Sequence, residues 1–150
     1  MEEPASLDGA VTRRREDGGR EIATFRAGVL EGKLTVHDAQ GRLRQEMVFT
    51  GGVLDGVMVE YGPEGAEVSL LTWRAGRLEG LTRFRDAAGR VTEMILRDGR
   101  AVEEIRVRDA AGEQVIALDA EGRPVVVVPE GAVPPPPPWW RVLVRKLVKF

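Results

Sequence analysis

The chain repeats itself. Phe25-Arg26-Ala27-Gly28-Val29-Leu30-Glu31-Gly32 returns 24 residues later as Phe49-Thr50-Gly51-Gly52-Val53-Leu54-Asp55-Gly56, and 24 after that as Trp73-Arg74-Ala75-Gly76-Arg77-Leu78-Glu79-Gly80. A degenerate fourth copy begins at Leu96-Arg97-Asp98-Gly99 and carries Glu103 where the second glycine belongs. A fixed period of this size means that one supersecondary unit is stacked on copies of itself, because a single unit cannot bury its own apolar face.

A second motif is interleaved at the same period. His37-Asp38-Ala39-Gln40-Gly41-Arg42-Leu43 aligns with Tyr61-Gly62-Pro63-Glu64-Gly65, with Arg85-Asp86-Ala87-Ala88-Gly89-Arg90-Val91 and with Arg108-Asp109-Ala110-Ala111-Gly112. Leu118-Asp119-Ala120-Glu121-Gly122-Arg123 is a last echo and Asp17-Gly18-Gly19-Arg20 a first. Asp-x-x-Gly is turn chemistry: the aspartate caps its own backbone and the glycine supplies positive φ. Ala-Gly, Gly-Gly and Asp-Gly at the other corner are turn dipeptides as well.

Between the corners lie stretches rich in Val, Thr, Leu and aromatics, at residues 33–37, 43–49, 57–61, 68–73, 81–85 and 91–96. They are long enough for strands and too short for helices. The spacing therefore predicts an all-β, antiparallel meander of about ten to twelve short strands, two per repeat. Gly28, Gly32, Gly52, Gly56, Gly76, Gly80, Asp38, Gly41, Gly65, Asp86, Gly89, Asp109 and Gly112 are expected to be its structural turn residues. Strict in-out alternation fails: Leu34, Met58 and Thr82 share one register, as do Val36, Glu60 and Phe84, yet the opposite face carries Lys33, Val57 and Leu81. Part of both faces must therefore be covered.

These residues resemble a known family. The Gly-x-Leu-Glu/Asp-Gly element followed by an Asp-x-x-Gly-Arg turn is similar to the MORN-repeat variant of bacterial YwqK-type proteins, across residues 13–124. The resemblance implies a non-enzymatic, protein-binding repeat module acting as an antitoxin or immunity, chaperone or adaptor component of a toxin or secretion system. A bacterial source agrees with the excess of arginine over lysine and the abundance of Ala, Gly, Val and Pro.

Composition removes most chemistry. Cysteine is absent, so disulfides, thiol catalysis and zinc-thiolate sites are excluded. His37 is the lone histidine, which leaves no histidine cluster for a metal. It ends a strand where the sister repeats carry Tyr61 and Arg85, and reads as a surface side chain. Calcium needs six to eight oxygens, whereas each Asp turn offers one carboxylate, or two with Glu121. Glu103-Glu104 and Glu2-Glu3 are adjacent pairs, which a strand sends to opposite faces. No phosphate-binding glycine loop is present. The expectation is no enzyme, no cofactor and no metal. With 22 basic and 24 acidic side chains the chain is nearly neutral, a poor footprint for nucleic acid. The start, Met1-Glu2-Glu3-Pro4, does not read as a signal peptide and no run reaches the length of a spanning helix, so the default placement is cytoplasmic.

The C-terminal segment is of another kind. Val125 to Val128, between Pro124 and Pro129, is expected to close the array. Pro134 to Pro138 form a polyproline II strut of roughly 15 Å. There follows Trp139-Trp140-Arg141-Val142-Leu143-Val144-Arg145-Lys146-Leu147-Val148-Lys149-Phe150. At about 100° per residue, Trp139, Trp140, Leu143, Val144, Leu147, Val148 and Phe150 fall on one half of a short amphipathic helix, and Arg141, Arg145, Lys146 and Lys149 on the other, with Val142 the exception. The preceding 138 residues carry 18 basic and 24 acidic side chains, so an acidic body ends in a cationic tail. Such a segment docks a partner groove, lies on an anionic membrane, or folds back on its own sheet. We expect a flexible N-terminus (1–12), the array (13–128), a linker (129–138) and a partner-binding tail (139–150), with attachment to a membrane surface as the alternative.

Overall fold

The computed structural model describes residues 7–124. The closing valines, the polyproline strut and the whole of the expected partner-binding tail lie outside the described residues. Among those described there is no helix, and the twelve strands form one antiparallel sheet. They are β1 (Gly9–Arg14), β2 (Arg20–Arg26), β3 (Val29–His37), β4 (Leu43–Thr50), β5 (Val53–Leu54), β6 (Gly56–Tyr61), β7 (Glu67–Arg74), β8 (Arg77–Arg85), β9 (Val91–Arg97), β10 (Arg100–Ala101), β11 (Ile105–Asp109) and β12 (Gly112–Ile116). The path runs β1-β2-β3-β4-β6-β7-β8-β9-β11-β12, with β5 on β4 and β10 on β9. Every connection is to the next neighbour, which is the meander that the glycine corners predict.

The two corners are built differently. At Ala27-Gly28, Gly51-Gly52, Ala75-Gly76 and Asp98-Gly99 both residues have positive φ. That is the type I′ pair whose twist matches two-residue hairpins. At the other edge, the Asp38 N–H donates to the Arg42 carbonyl and the Gly41 N–H to the Asp38 carbonyl, both at 2.9 Å. Asp38 Oδ1 accepts the N–H groups of Gln40 (3.0 Å) and Arg42 (2.9 Å). Asp86 and Asp119 repeat this geometry, and Gly62 takes the aspartate's place in the second copy.

Four expectations need correction. Gly32, Gly56 and Gly80 are not turn residues: Gly32 lies inside β3, Gly80 inside β8, and Gly56 opens β6. They sit at bulges, where the strand keeps its neighbour but carries extra residues. Between Ala23↔Leu34 and Phe25↔Leu30 the β3 strand holds two extra residues, and the same shift recurs between Leu71↔Thr82 and Trp73↔Leu78. The array also begins before residue 13. Leu7-Asp8-Gly9 is a further copy of Leu-Glu-Gly: the Leu7 carbonyl accepts the Gly28 N–H, as Leu30 accepts from Gly52 and Leu54 from Gly76. The alignment of Asp109 with Asp38 fails in detail, since Asp109 pairs with Gly112 across a two-residue Ala110-Ala111 loop and Gly112 is strand. In the first turn Arg15 stands in the aspartate position and Asp17 caps Gly19 instead.

The core is one face of the sheet. Met58, Leu71, Trp73, Leu78, Met94, Leu96 and Ile105 form the buried cluster, with Thr82 set between Leu71 and Met94. Apolar side chains also line the opposite face, in the rows Val57↔Thr72, Val59↔Leu70 and Leu81↔Ile95. The failed alternation of the sequence therefore reflects a ribbon that is apolar on both sides, one of them deeply buried and the other partly so.

Candidate interaction surface

Each repeat presents the same positions to the core face, and their burial differs from copy to copy. Met58, Leu71, Trp73 and Leu78 are 8%, 1%, 8% and 7% exposed. Their equivalents 24 residues earlier, Leu34, Met47, Phe49 and Leu54, are only half-buried. So are Ala23, Phe25 and Leu30 one copy earlier still, while Val36 is buried. The later positions are closed in part by the end of the array: Ala101, Val107, Ile116 and Leu118 pack on the cluster, as Met47, Leu54 and Phe84 do from the sheet itself. Nothing comparable among the described residues covers the first two copies. That leaves an apolar, aromatic strip across β2, β3, β4 and β5.

One polar row crosses this face. Gln45 Nε2 donates to Glu60 Oε1 at 2.7 Å, and Ser69 Oγ donates to Glu60 Oε2 at 2.9 Å. Glu60 stands where the sister copies have Val36 and Phe84. Both its oxygens are engaged, and Ser69 is 4% exposed. A buried hydroxyl that already donates to a carboxylate is a register-fixing pair, not an accessible nucleophile. On the same face Trp73 Nε1 and Thr82 Oγ1 are buried without a hydrogen-bond partner among the described residues.

The outer face carries charge ladders. Lys33 Nζ and Tyr61 Oη each donate to Glu46, at 2.9 Å. The Lys33 and Tyr61 bonds hold the Glu46 carboxyl below its usual range, and the Glu46 bond pushes the Tyr61 phenol up. Arg83 reaches Glu93 at 2.6 Å and Glu67 at 3.2 Å across three strands. At the bulge of β3, Gly32 leaves a shallow, open depression lined by Asp8, Thr24, Arg26, Glu31, Val48 and Thr50 among others.

The acidic residue of Leu-Glu/Asp-Gly has a function the sequence reading missed. Glu31 Oε2 accepts the Gly51 N–H at 2.7 Å, Asp55 Oδ1 the Ala75 N–H at 3.3 Å, and Asp8 Oδ1 the Ala27 N–H at 2.7 Å. Three acids thus cap the type I′ turn of the following copy, whereas Glu79 of the third pairs with Arg74. The signal was present as an acid recurring one repeat before each turn. His37, read as a surface side chain, is half-buried at the end of β3 with Nδ1 enclosed. Among the described residues no group of three or more His, Asp or Glu side chains is placed to hold a metal. No protein-family model matches the chain, and no curated protein matches its sequence.

Proposed function

We propose that the protein is a non-enzymatic binding module that docks a protein partner through its C-terminal tail and the half-exposed core face of its first two copies. The reading is supported by one observation above all: Leu34, Met47, Phe49 and Leu54 stay half-buried although the same positions of the next copy are closed. A contiguous apolar strip with aromatic side chains, bordered by polar ones, is the composition of an interface core. On the resemblance of its repeat to the MORN variant, we read the partner as a toxin or secretion-system component and this chain as the antitoxin or immunity, chaperone or adaptor member.

The test is capture of cross-linked partners by the full chain, by a chain lacking residues 134–150, and by the Phe49→Ser variant. A protein that is recovered by the first and lost from both others carries the proposal. Recovery unchanged in all three removes it. Attachment to anionic vesicles, abolished by salt and accompanied by a blue shift of Trp139 and Trp140, would replace it with the membrane alternative.

A further inference from the structure

We propose that residues 139–150 of this same chain lie on the half-exposed core face of the first two copies when no partner is bound, so that the docking surface is latched by its own tail. The inference rests on the reading that this face is the docking surface, and it names what occupies it at rest.

The face lacks a cover, and the chain leaves the sheet in a position to supply one. In the later copies the cover comes from the C-terminal side, ending with Leu118. Leu118 bridges to Pro124, and the hairpin between them is seated so closely on β10 that a side chain at Gly122 would come within 2.6 Å of the Ala101 carbonyl oxygen. Ala101 follows the Asp98-Gly99 turn as Leu54 follows Gly51-Gly52. Pro124 therefore lies at the same long edge of the sheet that carries Phe49, Leu54, Phe25 and Leu30.

The distances agree. Five strand spacings separate β9 from β3, about 24 Å at the usual interval of about 4.8 Å. The connector, residues 125–138, spans up to about 46 Å when extended and less where it turns. It reaches β3 in cis with its proline strut intact. A twelve-residue helix is about 18 Å long, which matches the width of β2, β3, β4 and β6 side by side.

The chemistry agrees as well. The tail offers an apolar half with two tryptophans and a polar half of four cations without an acid. Its counterpart is apolar and is crossed by Glu60, which accepts from the neutral Gln45 and Ser69 side chains, while Glu31 and Asp55, which accept backbone N–H groups, stand at its turn edge. Arg13, at the far edge, is matched by Glu21, and Arg26 stands at the rim. An isolated helix of twelve residues is marginal in water, so a docked position is needed to hold it. A partner that prefers the tail or the face then has to displace one from the other, which makes binding competitive with the latch.

The experiment uses the full chain and its lack of cysteine. A nitroxide is attached to Ala23→Cys, which faces Leu34 across the ladder and shares the core face with Phe25, or to Ala87→Cys, an exposed residue in the Asp86 turn at the other long edge. The emission of Trp139 and Trp140 is obtained as the difference from the same labelled chain carrying Trp139→Phe and Trp140→Phe. The latch predicts loss of that emission with the Ala23 label, retention with the Ala87 label, and no change on dilution. Equal emission with both labels overturns it. Quenching that fades on dilution also overturns it, because the tail then lies on a second copy. Partner capture is read separately: capture that survives a failed quench sinks the latch alone, and quenching without any captured partner sinks the binding role alone.

Discussion

Trp73 lies directly across the ladder from Gly56. The pairing recurs along the array: Gly9 faces Phe25, Gly32 faces Phe49, and Gly80 faces Leu96. The large residue that opens each repeat thus pairs with the glycine that closes the Leu-Glu/Asp-Gly element of the repeat before it. Gly56 has φ +133°, and a side chain there would place its Cβ 2.9 Å from the Val48 Cβ. Backbone strain and crowding therefore act together.

Gly56→Ala is expected to cost about 2–4 kcal/mol, combining the conformational penalty with overpacking against Val48. Gly89→Ala, at φ +81° with no atom within 4 Å of the added carbon, is expected to cost only about 1–2 kcal/mol. Urea unfolding of the two variants checks the difference. Equal losses would mean that Val48 moves aside freely.

The type I′ corners make the opposite prediction. Ala27 and Ala75 adopt φ +49° and +47°, a region that asparagine tolerates better than alanine. The Ala27 and Ala75 N–H groups keep their bonds to Asp8 and Asp55 whatever the side chain. Ala75→Asn is expected to stabilise by about 0.5–1 kcal/mol, read as a higher denaturation midpoint at unchanged slope. A lowered midpoint would show that the local backbone does not control the turn.

The capping acids are separable from the turns they serve. Glu31→Ala removes the acceptor of the Gly51 N–H and is expected to cost about 0.5–1.5 kcal/mol, whereas Glu31→Gln retains an acceptor oxygen and is expected to cost less. Amide exchange at Gly51, followed by NMR, should accelerate in the alanine variant ahead of the neighbouring strands. Unchanged protection at Gly51 would count against the cap.

Much of this was legible in the residues. The period gave the meander, because two glycine-marked corners per 24 residues leave room only for short strands. The division of labour between the two glycines of Phe-x-x-Gly-x-Leu-Glu-Gly was not. Both look like turn residues in one dimension, and only the register shows that Gly28 turns the chain while Gly32 bulges it. Leu7-Asp8-Gly9 escaped notice because its repeat retains only three letters, and those letters matter through bonds to Ala27 and Gly28, nineteen and twenty-one residues on. The half-exposed strip was concealed for a different reason. Leu34 and Met58 are equivalent in sequence, and their burial differs because Ile105, Ile116 and Leu118 close one end of the sheet, which no local pattern encodes.

The outer-face ladder gives a pH dependence with a definite sign. Glu46 is held below its usual value by bonds from Lys33 and then Tyr61. A carboxyl depressed on folding binds fewer protons in the native than in the unfolded state. Its contribution is therefore complete above the unfolded value near 4.5 and is lost as pH falls through the depressed native value. Tyr61 works in the other direction: its phenol is raised, chiefly by the bond to Glu46, so its contribution is complete below 10 and is lost as pH rises through the raised value. Glu46→Gln should accordingly flatten both limbs of a stability-against-pH curve, the acid limb by removing the carboxylate and the alkaline limb by removing the charge that opposes phenolate formation. Tyr61→Phe should flatten the alkaline limb and leave most of the acid limb, since the Lys33 bond remains. Denaturation midpoints at pH 3, 7 and 11 for the two variants and the parent chain check this (about one to one and a half units beyond each reference value). An acid limb as steep in Glu46→Gln as in the parent would place the acid sensitivity in the capping carboxylates of the turns instead, above all Asp119, which the Arg123 N–H holds low.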